Sequence, residues 1–259
     1  MKNNENEMQL QDTIYKLPKD KNYSEISALQ KEHKTSEGFL LNFIKENKVP
    51  TISIRDKLYI EEDEWFKYGL LFLNAQKRVV LKEILNKHKG IWTYNKIDYF
   101  LGIAESTIRF EAFLMIASQL KGKKYWYALS NAYQDSDNLF YYRRQVKKAF
   151  CSSEPYRWKL MNSVDRRFLK KLPETFTVYR GMSITEFKSK RYGISWSLKK
   201  EIAAFFASEY KRNYATYKVE KTICELTINK KDVIAFINER KEHEIIYLKD
   251  KKLITDRVI

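Results

Sequence analysis

The sequence predicts a fold of the α+β class, with helices in the first part of the chain and strands in the last part. From about residue 65 to 150, apolar residues recur at three- and four-residue spacing, which is typical of amphipathic helices. After Pro173 the pattern changes to short strand-like runs. Because helices come first and strands later, an alternating α/β fold is not expected.

Length and composition indicate a folded protein. The chain has 259 residues, of which 44% are hydrophobic and 15% aromatic, so it can bury a sizeable core. It has no apolar run long enough to span a bilayer, and its polar first residues lack a signal-peptide core. Two cysteines, Cys151 and Cys224, cannot form a disulfide framework. We therefore expect a cytoplasmic protein with no membrane contact.

The charge balance is strongly basic. The formal net charge is +16, and the 109 residues from Cys151 onward hold 24 Lys and Arg against 14 Asp and Glu. Such a chain favours polyanionic partners, including nucleic acid, nucleotide phosphates and acidic protein surfaces. Solvated lysine-rich faces would explain the same composition.

Several kinds of site are excluded by their motifs. The seven glycines form neither a G-x-G dinucleotide motif nor a phosphate-binding P-loop. The three histidines, His33, His88 and His243, have no H-E-x-x-H spacing, and no C-x-x-C occurs, so we expect no metal. A G-x-S-x-G nucleophile elbow is also absent.

Residues 1–75 are predicted to form a separate helical module. Two segments have helical periodicity, with Ser24 and Ser36 as N-caps, and a β-hairpin turning at residues 55–57 follows. The stretch "FIKENKVPTISIRDKLYIEEDEW" resembles the small winged-helix DNA-binding modules of excisionase type. A structural hairpin packed on helices explains this stretch equally well. Residues 76–259 are assigned to a second domain.

In the second domain, three strand-like segments carry unusual polar residues. In "TFTVYRG", alternation places Arg180 on the apolar face with Val178, so we expect it to meet a carboxylate or a phosphate. In "GISWS", Ser195 and Ser197 share a face opposite Trp196, and Ser197 also suits the N-cap of the helix that follows.

The third segment, "ERKEHEIIY", places two carboxylates where a strand begins. Glu242 and Glu244 project to one side, and the apolar run after Glu244 should hold that residue rigidly. Solvated loop charges are the alternative explanation.

Taken in order, "YRG", "GISWS" and "EHEII" resemble the arginine–serine–glutamate class of ADP-ribosyltransferases. The family pattern has Ser-Thr-Ser where this chain has Trp196 between two serines. The resemblance covers roughly residues 110–259 and implies a core of two small sheets that binds NAD, as a substrate, in the cleft between them.

The resemblance also implies roles for individual residues. Glu244 would stabilise the oxocarbenium-like state formed when the nicotinamide–ribose bond breaks, and Ser195 would orient Glu244. Glu242 would prepare the acceptor, which is a protein arginine or a nucleic acid. The predicted NAD-binding residues are Arg180 for the phosphates, Gly181 near the nicotinamide, Ser195, Ser197, and the stacking candidates Tyr210 and Tyr214.

The leading hypothesis is a mono-ADP-ribosyltransferase acting as a toxin or phage-conflict effector. The sequence is also consistent with two alternatives. One is a non-enzymatic nucleic-acid-binding or regulatory protein, and the other is an NAD glycohydrolase that uses water as the acceptor. The basic surface would also suit an acidic antitoxin, although no residue specifies one.

Overall fold

The computed structural model describes residues 17, 21–55, 57–88, 90–137, 139, 141–208 and 220–248. The chain divides into two compact units between Asn86 and Lys87. The predicted boundary after residue 75 instead lies within a long helix, Glu62–Lys87, which ends at the observed division. No helix among the described residues combines the length and apolar character needed to cross a membrane.

The described residues of the first unit form a small antiparallel sheet and three helices. The elements in chain order are β1 Tyr23–Glu25, α1 Ile26–Glu32, α2 Glu37–Glu46, β2 Ile52–Ile54, β3 Lys57–Glu61 and α3 Glu62–Lys87. Strand β3 lies between β1 and β2. The predicted hairpin is confirmed, since Ile52 pairs with Tyr59 and Ile54 with Lys57.

One predicted helix cap in this unit is confirmed and the other is wrong. The Ser36 hydroxyl accepts a hydrogen bond from the Phe39 amide at 3.3 Å, as expected of an N-cap. Ser24 instead lies in β1 opposite Ile60, and helix α1 begins after Glu25 with no side-chain cap. Three residues of strand are too few to give a readable alternation, so the sequence favoured the helix.

The second unit begins with a helical part. Its helices are α4 Tyr94–Ile103, α5 Arg109–Ile116, α6 Lys123–Gln134, α7 Arg143–Phe150 and α8 Ser163–Lys171, with short 3₁₀ turns at Ala117–Gln119 and Arg157–Leu160. The segment between Pro155 and Pro173 is therefore divided into a 3₁₀ turn and helix α8. The reason is Asn162, whose side chain accepts from the Asp165 amide at 2.8 Å and begins a new helix.

In the part of the second unit that the structure describes, five strands form one sheet. They are β4 Thr175–Ser183, β5 Ser195–Ser197, β6 Lys221–Asn229, β7 Val233–Ile237 and β8 Glu244–Tyr247, with helices α9 Ile184–Ser189 and α10 Lys200–Ser208 between them. The strand order is β6-β4-β5-β8-β7 and all neighbours are antiparallel. The α+β class is confirmed. The second sheet that the resemblance implies for this unit is not among the described residues.

One face of the five-stranded sheet packs on a hydrophobic core. Val178, Trp196, Phe236 and Ile245 are at most 2% exposed and belong to one cluster, so each of four strands contributes a residue to it. Because side chains alternate between faces, the neighbours of these residues along each strand point to the opposite face. That opposite face carries the serines and Glu244.

Candidate active site

The strand order places the three predicted segments side by side. Strand β5 lies between β4 and β8, and Ser197 pairs with Tyr179 on one side and with Glu244 on the other. Directly opposite residues in antiparallel strands share a face. Tyr179, Ser197 and Glu244 therefore project from the same face of the sheet.

Glu244 is a buried carboxylate with one strong hydrogen-bond donor. The side chain is 3% exposed, and its Oε1 accepts from the Tyr133 hydroxyl at 2.6 Å. Tyr133 lies on helix α6, and its ring packs edge-on against Phe150. Burial, together with the charge of Glu244, raises the pKa of Tyr133 well above its ordinary value. The phenol therefore remains protonated and keeps donating to the carboxylate.

The second oxygen of Glu244 accepts no hydrogen bond from the described residues. An Nη atom of Arg240 lies 3.5 Å from it, which is within ion-pair range but too long for a good hydrogen bond. The same nitrogen lies 3.1 Å from a carboxylate oxygen of Glu242. One oxygen of Glu244 is thus fixed, and the other retains an unused acceptor position.

Glu242 lies in a turn with unusual backbone geometry. Its two neighbours, Lys241 and His243, both have positive φ, at 58° and 48°, a region that costs energy for residues other than glycine. The Glu242 carbonyl accepts from the Ser197 hydroxyl at 2.8 Å. Strained backbone that is held by specific hydrogen bonds often marks a functional position, and here it fixes the direction of Glu242.

The electrostatic environment of Glu242 favours the protonated carboxyl. Burial raises its pKa, the Arg240 guanidinium lowers it, and the nearby Glu244 charge raises it again. The net effect is a pKa above the ordinary value. A raised pKa brings a carboxylate closer to the range in which it acts as a general base.

The two serines make different contacts. The Ser195 side chain interacts with the Tyr133 hydroxyl, which in turn holds Glu244, so the predicted link between Ser195 and Glu244 passes through a tyrosine. Ser197 accepts from the Lys199 amide at 3.0 Å, immediately before helix α10. It therefore supports the turn into this helix, and it also donates to the Glu242 loop.

Arg180 faces a carboxylate, one of the two partners predicted for it. Its Nε donates to Glu186 at 2.9 Å, and an Nη donates to the Ser195 carbonyl at 2.8 Å. Glu186 also accepts from the Gly193 amide at 2.8 Å. These contacts join β4, α9 and the start of β5.

Arg180 and Glu244 do not project from the same face of the sheet, which corrects the expectation that both line one pocket. Tyr179 shares the face of Glu244, so the adjacent Arg180 belongs to the opposite face, with the core residues Val178 and Met182. A phosphate contact by Arg180 would require its guanidinium to exchange Glu186 for that ligand.

Gly181 has a packing role in place of the predicted approach to nicotinamide. A Cβ at this position would lie 2.2 Å from the Ala203 carbonyl oxygen and 2.7 Å from the Ala207 amide nitrogen. The space beside Gly181 is therefore filled by the backbone of helix α10. The stacking candidates Tyr210 and Tyr214 lie outside the described residues.

Two contributors to the site were not identified from the sequence. Tyr133 lies on helix α6, far from Glu244 in the sequence, and only the tertiary structure brings its hydroxyl to that carboxylate. Glu186 follows Arg180 by six residues, but a single carboxylate in a short helix gives no recognisable signal. The described residues contain no group of three or more His, Cys, Asp or Glu side chains suited to a metal ion.

Comparisons with protein-family models, curated proteins and solved structures found no match for this chain. The structure places residues 180, 195, 197 and 244 on the adjacent strands β4, β5 and β8.

Proposed function

We propose that the protein is a mono-ADP-ribosyltransferase in which Glu244 is the catalytic carboxylate. The observation that carries this proposal is the asymmetric environment of Glu244, with one oxygen fixed by Tyr133 and the other without a hydrogen-bond donor among the described residues. A carboxylate needed only for folding would be expected to have both oxygens paired. The unused acceptor is buried in this structure, so a ligand hydroxyl, such as the ribose 2′-hydroxyl of NAD, would reach it only after the surrounding side chains move.

The proposed reaction breaks the bond between the nicotinamide nitrogen and the ribose anomeric carbon. The bonding electrons leave with nicotinamide, and positive charge develops on the ribose next to the Glu244 carboxylate, which stabilises it. An acceptor nitrogen or oxygen then bonds to the anomeric carbon and loses its proton to Glu242. The raised pKa of Glu242 supports this role as base.

Arg180 enters the proposal as a positioning residue. Its hydrogen bonds to Glu186 and to the Ser195 carbonyl hold β4 against β5, which fixes the strand that carries both serines. The proposal therefore requires no contact between Arg180 and the NAD phosphates.

The proposal is tested by incubating the protein with cell extract and with NAD that is labelled in its ADP-ribose part. The rate of nicotinamide release is then measured. Glu244→Gln keeps the shape of the side chain but removes its charge, so we expect at least a ~100-fold loss of release. Glu225→Gln, at an exposed position of β6, is the matched control and should leave the rate unchanged. Equal rates for wild type and Glu244→Gln would contradict the assignment.

The destination of the label identifies the acceptor. Label that protease removes indicates a protein acceptor, and label that nuclease removes indicates nucleic acid. Nicotinamide release without labelled macromolecule would favour the glycohydrolase alternative.

A second candidate is a nucleic-acid-binding protein without catalytic activity. The net charge of +16 and the sheet-and-helix arrangement of the first unit favour it. This candidate requires salt-dependent binding of DNA or RNA without any turnover of NAD.

A further inference from the structure

A cleft in the second unit shares no residue with the Glu244 site. It has a volume of about 750 Å³ and is lined by residues between 90 and 94, between 119 and 124, and between 154 and 156. Its volume lies within the range of roughly 300–1,000 Å³ that is typical of ligand pockets. The cleft is therefore large enough for a nucleotide-sized group.

The charge of the cleft favours an anionic ligand. Lys121, Lys123 and Lys124 line it, and Glu154 is the acidic residue among the described residues of the lining. Glu154 is already engaged by the Gly122 amide at 2.6 Å and by Lys121 at 3.3 Å, and these contacts lower its pKa. Lys123 and Lys124 have no ion pair with Glu154, so positive charge remains for a phosphate.

Exposed aromatic rings lie beside these lysines. Tyr156 is 51% exposed and Tyr94 is 37% exposed, although large aromatic rings are usually more buried. The Lys123 ammonium lies 5.2 Å from the centre of the Tyr156 ring. A ring face with a neighbouring cation suits one nucleotide of a strand, because the base stacks on the ring and the phosphate meets the cation.

The backbone holds Tyr156 in an uncommon conformation. Its φ is 69°, in the left-handed region, which is disfavoured for a bulky side chain. Gly122 provides the space for the ring, because a Cβ on Gly122 would lie 3.3 Å from Tyr156 Cδ2. A strained residue that presents an exposed ring is more readily explained by binding than by stability.

We propose that this cleft binds single-stranded nucleic acid, with a base on Tyr156 and the backbone phosphates on Lys121, Lys123 and Lys124. An acidic protein surface would use the lysines but would have no use for the ring faces. A duplex would keep its bases stacked internally and away from Tyr156.

The test is fluorescence anisotropy with a labelled twelve-residue oligothymidine and the full-length protein. Tyr156→Asn removes the ring, and Asn tolerates the left-handed conformation. We expect affinity to fall by about 5- to 160-fold, the effect of losing one base–aromatic stack. Tyr156→Phe keeps the ring and should bind as wild type does.

Two charge-matched triple variants separate the cleft from the general basic surface. Replacing Lys121, Lys123 and Lys124 by Gln should weaken binding at least about tenfold and reduce the slope of log affinity against log salt by about 2–3. The control variant replaces Lys171, Lys188 and Lys200 by Gln. These lysines are exposed elsewhere in the same unit. The control removes the same charge and should weaken binding less than about threefold.

Three results would overturn the proposal. The first is unchanged affinity in Tyr156→Asn, and the second is equal weakening by the two triple variants. The third is equally tight binding of the duplex or of free AMP, which would assign the cleft to another ligand. The cleft shares no lining residue with the Glu244 site, so Glu244→Gln should bind the oligonucleotide as wild type does. Oligonucleotide binding therefore tests the cleft independently of the proposed enzymatic activity.

Discussion

At the scale of single residues, the energetics of the site centre on the contact between Tyr133 and Glu244. A carboxylate that is 3% exposed loses most of its hydration, and a hydrogen bond to a charged group contributes about 1.5–3 kcal/mol. Tyr133 is the one described residue that donates a hydrogen bond to the Glu244 carboxylate, and Arg240 compensates the charge from 3.5 Å. The tyrosine therefore contributes to stability as well as to the geometry of the carboxylate.

Tyr133→Phe is expected to lower the free energy of unfolding by about 2–4 kcal/mol, because it leaves a buried carboxylate without its donor. Tyr125→Phe is the matched control on the same helix. It removes a hydroxyl that donates to the neutral Ala149 carbonyl at 3.0 Å and should cost about 0.5–1.5 kcal/mol. Urea denaturation at neutral pH measures both values, and equal costs would show that the charge of Glu244 adds nothing to this contact.

The raised pKa of Glu242 predicts how stability depends on pH. A carboxyl whose pKa is higher in the folded state than in the unfolded state stabilises the fold below its unfolded pKa, and this contribution is lost as pH rises through the folded pKa. At neutral pH the charged Glu242 is therefore unfavourable, since burial outweighs its ion pair with Arg240.

Glu242→Gln should consequently raise the melting temperature at neutral pH and leave it nearly unchanged at about pH 3.5, where both states are protonated. Thermal unfolding followed by circular dichroism at the two pH values measures this difference. The exposed neighbour Glu239 provides the control substitution Glu239→Gln. A lower melting temperature for Glu242→Gln at neutral pH would mean that the Arg240 ion pair outweighs burial.

At the scale of elements, the close packing of helix α10 on strand β4 positions the candidate site. The helix begins just after β5, and its Ala203 and Ala207 backbone atoms occupy the space beside Gly181. Any side chain on Gly181 would push the helix away from the sheet. The contact between these two elements therefore depends on the missing Cβ.

Gly181→Ala is expected to destabilise the protein by about 1–3 kcal/mol, the usual cost of forcing extra volume into a packed contact. Gly102→Ala is the control within the same unit. Gly102 lies in helix α4, and a Cβ added there would meet no atom within 4 Å, so alanine should stabilise by about 0.5–1 kcal/mol. The opposite signs can be read from denaturation midpoints, and a neutral Gly181→Ala would contradict the close packing.

At the scale of the whole molecule, the sequence predicted local structure better than contacts between distant segments. Alternation identified the strands and correctly placed Trp196 on the face opposite Ser195 and Ser197, because side chains in a strand have a fixed period. It could not show that Glu186, six residues beyond Arg180, would satisfy the guanidinium. Glycine at position 181 was equally consistent with an approaching ligand and with a packed helix, and only the tertiary structure distinguishes them.

Tyr133 and Glu244 are 111 positions apart in the sequence, and this separation affects how the region folds. Bringing such remote segments together has an entropic cost of loop closure. Only the contacts that form when helix α6 docks on the sheet offset this cost. A fragment that starts at β4 would retain strands β4–β8. It would lack Tyr133, whose hydroxyl donates to the buried Glu244 carboxylate. The environment of Glu244 should therefore form in one step with docking of helix α6 and should be missing from fragments that lack this helix.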